Sequence, residues 1–515
     1  VDNFSLSFES GKREGVVVVD LDTDPDRLAR AIAETAGVFG ELAEGGPTDD
    51  ELARARTRVL RSYRFGSETV QGQAGTLGQY DVLDDLAGAF AFPDRVAAVT
   101  GDDVTALCSA IFRLGNLSTV IYLPDGTDPA AHGIPSAAEA LKDLVEGALP
   151  ETPPGSWPAP PSAGAATSGS GAGIKASATP AFETAILPGG SELACRVDRA
   201  VPVFTMAFTL RGGATAETAD RSGLATLARL TQVKGTDTLD SETLHGRLES
   251  MGAVLSPLAD RDYGGLVLTG LSDRLEESLD LAVRAILAPA FPEEEIEHEK
   301  RLALEQLAAM ADAPFQAASL KLREMVYGDH PYGRPLPGTA ASIPGLTRSM
   351  VVNANRALWT RAGLQVVVSG DVDADRLADR LDGLLEDLPP GDETGLPVVG
   401  AARAPEGIEQ EKIERKQNQS VVLCAWPGPM TPSEERVPLM LLREVMNGQS
   451  GRLFEVLRNR QSLCYNTGVL GTAGFGQGMF VGYVLTAPET ADQARDALVG
   501  ELAGMTADLV PCLLY

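Results

Sequence analysis

The chain has 515 residues, 44% of them apolar and 22% charged, an ordinary globular composition with room for two to four domains. Its 72 acidic against 43 basic residues leave a formal net charge of −29, which argues against a basic phosphate-binding face and so against nucleic acid as a partner. The five cysteines, Cys108, Cys195, Cys424, Cys464 and Cys512, form no C-x-x-C pair, and no apolar run approaches the roughly 20 residues a membrane span needs.

In chain order, Val16–Leu21 predicts a strand and Asp24–Glu34 a helix, opened by Asp24 as N-cap acceptor and Pro25 at the first helical position. Long helical patterns follow over Asp49–Arg64 and Ser67–Ala87, then Thr100–Val104 leads into a further helix and Ser118–Leu123 into a closing strand. Ala137–Leu149 reads as a helix entering Pro150–Pro180, a stretch rich in Pro, Gly, Ser and Ala that includes Ser168-Gly-Ser-Gly-Ala-Gly173. That composition predicts a flexible linker. Beyond it the strand-then-helix unit recurs three times, at Gly265–Thr269 with Asp273–Leu287, Gln365–Ser369 with Asp373–Leu388, and Phe480–Leu485 with Thr490–Met505. Four such copies predict an α+β chain whose sheets are antiparallel and covered by helices on one face. Aligned with one another, they divide the chain into residues 1–133, the back part of one domain; 134–180, helix and hinge linker; 181–400, a further domain; and 401–515, the front of another. Both partial domains are expected to expose core surface.

Several short stretches carry a family pattern in one consistent order. Glu51-Leu-Ala-Arg-Ala-Arg56 and Val99-Thr-Gly-Asp-Asp-Val104 precede the linker. After it come Leu187-Pro-Gly-Gly190, Arg211-Gly-Gly-Ala-Thr-Ala-Glu217, Gly223-Leu-Ala-Thr-Leu-Ala-Arg-Leu-Thr-Gln-Val-Lys-Gly-Thr236, His330-Pro-Tyr-Gly-Arg334, Ile343-Pro-Gly-Leu-Thr347 and Val366-Val-Val-Ser-Gly-Asp371. Together they resemble the insulinase/pitrilysin (inverzincin) family of zinc metallopeptidases, in its single-chain form built of two halves. The resemblance implies repeated insulinase-like domains with ferredoxin-like strand–helix repeats.

The family carries its zinc on an inverted H-x-x-E-H helix, two His serving as ligands and the Glu as general base. Here those positions hold Thr226, Arg229 and Leu230, and the place of the later third ligand is Glu305. Neither Thr226 nor Leu230 offers an imidazole lone pair, Arg229 is a fixed cation, and one carboxylate alone does not hold zinc. No metal site is expected in this chain. His330 reads as a turn-former, and His132, His245 and His298 have no partner at metal spacing. Gly474-Phe-Gly-Gln-Gly478 precedes a strand rather than a helix and so predicts a hairpin turn, and Ser450 departs from G-x-S-x-G.

Near the end, Gly451-Arg-Leu-Phe-Glu-Val-Leu-Arg-Asn-Arg-Gln-Ser-Leu-Cys-Tyr465 resembles the family's second motif, an Arg and a Tyr seven residues apart on the non-zinc half. The resemblance assigns Arg458 and Tyr465 to the substrate backbone near the scissile carbonyl. It therefore implies the end of a zinc-bearing half, a hinge and most of a non-catalytic second half. Zinc is expected not in this chain but in a missing N-terminal half, and unfolded peptides are the expected substrates. The alternative is a catalytically inactive structural or peptide-binding subunit that partners a separate active one. Compartment, cytoplasmic or periplasmic, stays open.

Overall fold

The computed structural model of the chain describes residues 3–10, 15–82, 86–113, 116–134, 183–391 and 409–507, apart from 417, 432 and 473. The helix expected over Ala137–Leu149, the linker Pro150–Pro180 and Cys512 lie outside the described residues. The chain divides into two compact units: Val1–Ala178 with the pieces Ala200–Val203 and Glu249–Gly252, and the remainder, Thr179–Arg199, Phe204–Leu248 and Ala253–Tyr515.

In the first unit β1 (Asn3–Ser10) and β2 (Gly15–Asp22) form an antiparallel pair, Asn3 opposite Asp22. Phe4, Leu6 and Phe8 alternate onto one face of β1 and are 52–64% exposed. Among the described residues the α-helices that follow are α1 (Pro25–Gly45), α2 (Asp49–Gly66), α3 (Val70–Val82), α4 (Leu86–Ala98) and α5 (Gly101–Ile111). Pro25 opens α1 as expected, but the Asp24 carboxylate accepts no cap hydrogen bond. Capping boxes do start α2 and α5, through Thr48 with Glu51 and Thr100 with Asp103. Of the helical pattern over Ser67–Ala87, the described residues Val70–Val82 (α3) and those from Leu86 on (α4) are helical. Ser118–Leu123 forms no strand: it pairs with no strand among the described residues, and Val120 and Tyr122 are almost wholly exposed.

The second unit is built on two sheets. The larger has six strands in the order β3 (Glu183–Ile186), β4 (Glu192–Val197), β8 (Leu364–Gly370), β5 (Val203–Arg211), β7 (Tyr263–Leu271) and β6 (Val254–Ala259). One pair departs from the antiparallel expectation, because β4 runs parallel to β8. The reason is geometric. β4 and β5 run in opposite directions, and the strand inserted between them must be parallel to one; β8 is antiparallel to β5.

Alternation buries one face of this sheet. Met206 and Phe208 of β5, Leu266 and Leu268 of β7 and Val366 and Val368 of β8 are fully buried, while Gln365 and Val367 face outward. Burying each such side chain contributes about 1.5–3 kcal/mol. Leu244 and Leu248 of α7 (Ser241–Ser250), Leu279, Val283 and Ile286 of α8 (Leu275–Leu287), and Leu377 and Leu381 of α12 (Ala374–Leu384) are buried with them. The remaining helices of this part are α6 (Leu224–Gln232), α9 (Glu293–Asp312), α10 (Pro314–Tyr327) and α11 (Arg348–Leu358).

The smaller sheet is antiparallel with β11 (Gly478–Thr486) between β10 (Asn466–Thr472) and β9 (Ser420–Gly428). Val469 and Val484 share a core with Met446 of α13 (Arg436–Met446), Leu453 and Leu457, and Ala494 and Leu498 of α14 (Ala491–Ala507). Each of the four strand–helix copies read from the sequence is a strand followed by a helix: β2–α1, β7–α8, β8–α12 and β11–α14. The class is α+β. Among the described residues no helix is long and apolar enough to cross a membrane.

Candidate functional site

The helix at the family's zinc position, α6, is short and held from both ends. Gly223 precedes it at φ 93°, and a Cβ there would overlap the Pro337 carbonyl oxygen, so only glycine fits. The helix N-terminus is capped from outside the helix. The Glu217 carboxylate accepts the backbone N–H of Gly223 at 2.9 Å and of Ala225 at 2.5 Å, and Arg334 Nη2 donates to the Glu217 carbonyl at 2.8 Å. Burial pushes the Glu217 carboxyl up to about 7 even though the two N–H donors and Arg334 favour its charged form.

On α6 itself the three expected positions do three different things. Thr226 donates its hydroxyl to the Leu336 carbonyl at 2.8 Å, tying the helix to the chain beyond the His330 turn. Leu230 is half-buried. Arg229 is 2% exposed, with its guanidinium 5.6 Å from the centre of the Trp359 ring and Nη2 donating to Asn355 Oδ1. Its Nε and Nη1 are buried without a hydrogen-bond partner, and burial lowers its pKa to about 9. Asn355 Oδ1 also accepts from Trp359 Nε1 at 3.1 Å, and Trp359 Nε1 lies 3.3 Å from Gln232 Oε1. Position 229 is thus a knot of core packing.

Glu305 lies exposed on α9 with no hydrogen bond or ion pair among the described residues, so the basic partner that a solvated helix position invites is absent. A hydroxyl committed to a carbonyl, an alkyl chain and a buried cation do not fit zinc, and among the described residues no three His, Cys, Asp or Glu side chains cluster to hold a metal. His245 contacts the Val233 carbonyl at 3.0 Å, His298 contacts Arg301 at 2.7 Å, and His132 contacts Asp26 at 2.6 Å. The thiols of Cys108 and Cys195 are buried and those of Cys424 and Cys464 partly so. All four are free, and burial raises the pKa of each.

The His330 turn joins the two sheets of the second unit. His330 Nδ1 accepts the Tyr332 backbone N–H at 3.1 Å, which sets the turn. Tyr332 then reaches Asp262, its hydroxyl 2.6 and 2.7 Å from the two carboxylate oxygens, both residues being buried. Phe475 N–H donates to the same carboxylate and Gly476 N–H to the Tyr332 hydroxyl, each at 2.9 Å. The stretch Gly474–Gly478 is therefore the β10–β11 hairpin turn that its position before a strand predicted. Gly474 must be glycine because a Cβ would overlap the Tyr332 hydroxyl. Asp262 and Asn355 carried no sequence signal; each is a polar residue whose burial appears only when the chain is folded.

Arg458 sits on a turn of π-helix, Phe454–Arg460, a wide coil that recurs at functional sites. Leu457 anchors it in the core, and Ser462 at φ 53° ends it. Both expected side chains are exposed, Tyr465 by 61%. The Arg458 guanidinium lies 4.8 Å from the centre of the Phe454 ring, and Nη1 donates to the Tyr465 carbonyl. Tyr465 N–H donates to the Leu485 carbonyl at 2.9 Å, fixing its backbone to the sheet. Arg458 has no ion pair among the described residues and keeps donors free.

Comparison with known proteins places these geometries. The family model described as Insulinase (Peptidase family M16) matches residues 195–340, and that described as Peptidase M16 inactive domain matches residues 346–511. An uncharacterized zinc protease of Rickettsia felis is 23% identical over 299 residues, covering 57% of this chain and 71% of that protein. One of Mycobacterium leprae is 25% identical over 282 residues, covering 54% and 63%. The crystal structure of a peptidase M16 inactive domain from Pseudomonas fluorescens superposes with TM-score 0.58 at 21% identity, covering 64% of this chain and 80% of its own. That of a protease from Helicobacter pylori gives 0.60 at 17%, covering 64% and 82%. At these identities the two structures show the shared fold.

Proposed function

The chain belongs to the insulinase family of peptidases, and on that premise we propose that it serves as a non-catalytic half of a zinc metalloendopeptidase. In this role it holds unfolded peptides for zinc chemistry performed elsewhere, on the zinc-bearing half of the same chain or on a separate active subunit. The observation that carries the proposal is the contrast at the two motif positions. Of the zinc-motif residues Arg229 is buried in the core, Thr226 and Leu230 are half-buried and Glu305 is exposed, none of them set to hold a metal, while Arg458 and Tyr465 are both presented to solvent.

Arg458 and Tyr465 supply N–H and O–H donors whose backbones are already fixed, so little conformational entropy is lost when a peptide carbonyl meets them. Aimed at a scissile carbonyl in the assembled enzyme, such donors orient the peptide and stabilise the developing oxyanion. One donor of this kind is typically worth about 10²–10³ in rate. Within the domain layout, 181–400 and 401–515 provide peptide-facing wall and the pair, and Pro150–Pro180 provides the hinge.

The test is a peptide assay on the purified chain with added Zn²⁺, using a dye-labelled unstructured peptide. The expected result is binding without turnover, the binding weakened by Arg458→Ala and Tyr465→Phe. Turnover by the chain alone that a chelator abolishes overturns the proposal. Binding unchanged in both variants removes the pair from it and favours a scaffold subunit.

A further inference from the structure

A cavity of about 280 Å³ lies between α9, α10, the β6–β7 turn and residues 335–337. Its charged lining consists of Arg261 and Arg323, and no Asp or Glu lines it. That is unusual in a chain with 72 acidic residues against 43 basic ones. Neither arginine has an ion pair among the described residues. Arg261 Nε is buried without a hydrogen-bond partner, and its Nη2 reaches only the Arg334 carbonyl, at 3.5 Å.

Both arginines stand on backbone that their surroundings hold. Arg261 sits in a turn that accepts backbone N–H groups from the Arg211–Glu217 stretch, Gly212 to Asp262 and Thr215 to Arg261, each at 2.8 Å. Arg323 is one turn before Tyr327, whose hydroxyl donates to the Gln477 carbonyl at 3.3 Å. Burial, and then the neighbouring Arg261, lowers the Arg323 pKa. Two cations kept close, with no carboxylate lining the cavity they share, carry an electrostatic penalty that an incoming anion relieves.

We propose that this cavity binds a carboxylate of a bound peptide, its α-carboxylate or an Asp or Glu side chain. Guanidiniums take planar carboxylates in paired hydrogen bonds, and the volume suits one residue rather than a larger ligand. Gln306 and Gln316 add amide groups at the rim, and Phe315 gives an apolar wall for the stem of that residue. Leu336, whose carbonyl is tied to Thr226, also lines the cavity, so the site adjoins the altered zinc-position helix. The proposal rests on the reading that this chain binds peptides.

It is tested by fluorescence anisotropy on the full chain with three dye-labelled hexapeptides: a neutral one with a free carboxyl terminus, its amide, and the amide with one internal Glu. At least one of the two carboxylate peptides is expected to bind about tenfold more tightly than the neutral amide, and which one does so names the source. Arg261→Gln with Arg323→Gln is expected to reduce both to the level of the amide. Should the double variant not fold, phenylglyoxal labelling of Arg323 in the unmodified chain serves instead; a carboxylate peptide should slow it and the amide should not. Equal binding of all three peptides, or equal labelling with each, overturns the carboxylate site. Peptide binding at Arg458 and Tyr465 is judged separately, because Arg458→Ala should weaken all three alike.

Discussion

Two stretches of this chain keep the frame of a family motif and turn its side chains in opposite directions. In α6 the position of the family's general base is an arginine, 2% exposed and bound to one amide oxygen. At the end of the π-turn, Arg458 and Tyr465 keep the residue types of the second motif and stand in solvent. The difference teaches that a helix without a metal donor set can turn a polar position into core, whereas the peptide-binding role proposed for Arg458 and Tyr465 requires them to stay outside. The energetic consequences differ accordingly: α6 holds a buried charge with incomplete hydrogen bonding, while the exposed side chains of Arg458 and Tyr465 contribute little to the core that Leu457 anchors.

The largest effect should come from removing the partner of the buried charge. Asn355→Leu leaves Arg229 without a hydrogen bond, and chemical denaturation should show a loss of about 3–5 kcal/mol. Adding Arg229→Met should recover most of it, since a buried cation replaced by an apolar side chain of similar length is often neutral or stabilising. If the double variant is no better than Asn355→Leu alone, the amide rather than the charge is what matters there.

A second effect concerns the cap of the same helix. Burial raises Glu217 from 4.5 in the unfolded chain to about 7 in the folded one, so the native state keeps a proton the unfolded chain has released. Its contribution is fully present below about pH 4.5 and is lost as pH rises through about 7. The fall in stability should be on the order of 2–3 kcal/mol over that window. Glu217→Gln should flatten the slope, and a slope unchanged in that variant would assign the pH dependence to another group.

Gly223→Ala should cost about 1–3 kcal/mol, because φ 93° and the Pro337 carbonyl both oppose a side chain. A thermal melt of this variant matching the parent would show that the start of α6 can rearrange. The smallest stability change belongs to the other stretch. Arg458→Ala and Tyr465→Phe should shift unfolding by about 0.5 kcal/mol or less, while weakening peptide binding roughly tenfold. A large loss of stability in either would mean that the pair is structural and would erase the contrast.

Much of this was readable in advance because it depends on local periodicity. The four strand–helix copies, the hairpin at Gly474–Gly478 and the turn set by His330 follow from spacing and turn chemistry, which act over a few residues. The loss of zinc ligands at 226, 229 and 230 needed only the chemistry of Thr, Arg and Leu. Ser118–Leu123 shows where such reasoning stops: its β-rich pattern is real, but a strand exists only beside a partner. The parallel pairing of β4 with β8 is likewise invisible until β8 is seen lying between β4 and β5.

By itself, then, the sequence determined the α+β class, the repeated unit and the absence of a zinc donor set at the family's position, since each rests on residue type and short-range pattern. Only the tertiary structure decided which polar groups are buried and what they meet. Arg229 against Asn355, Tyr332 against Asp262, and Arg261 near Arg323 join residues about 60 to 130 positions apart. The energy of a charge depends on the dielectric and the partners around it, and folding alone supplies both.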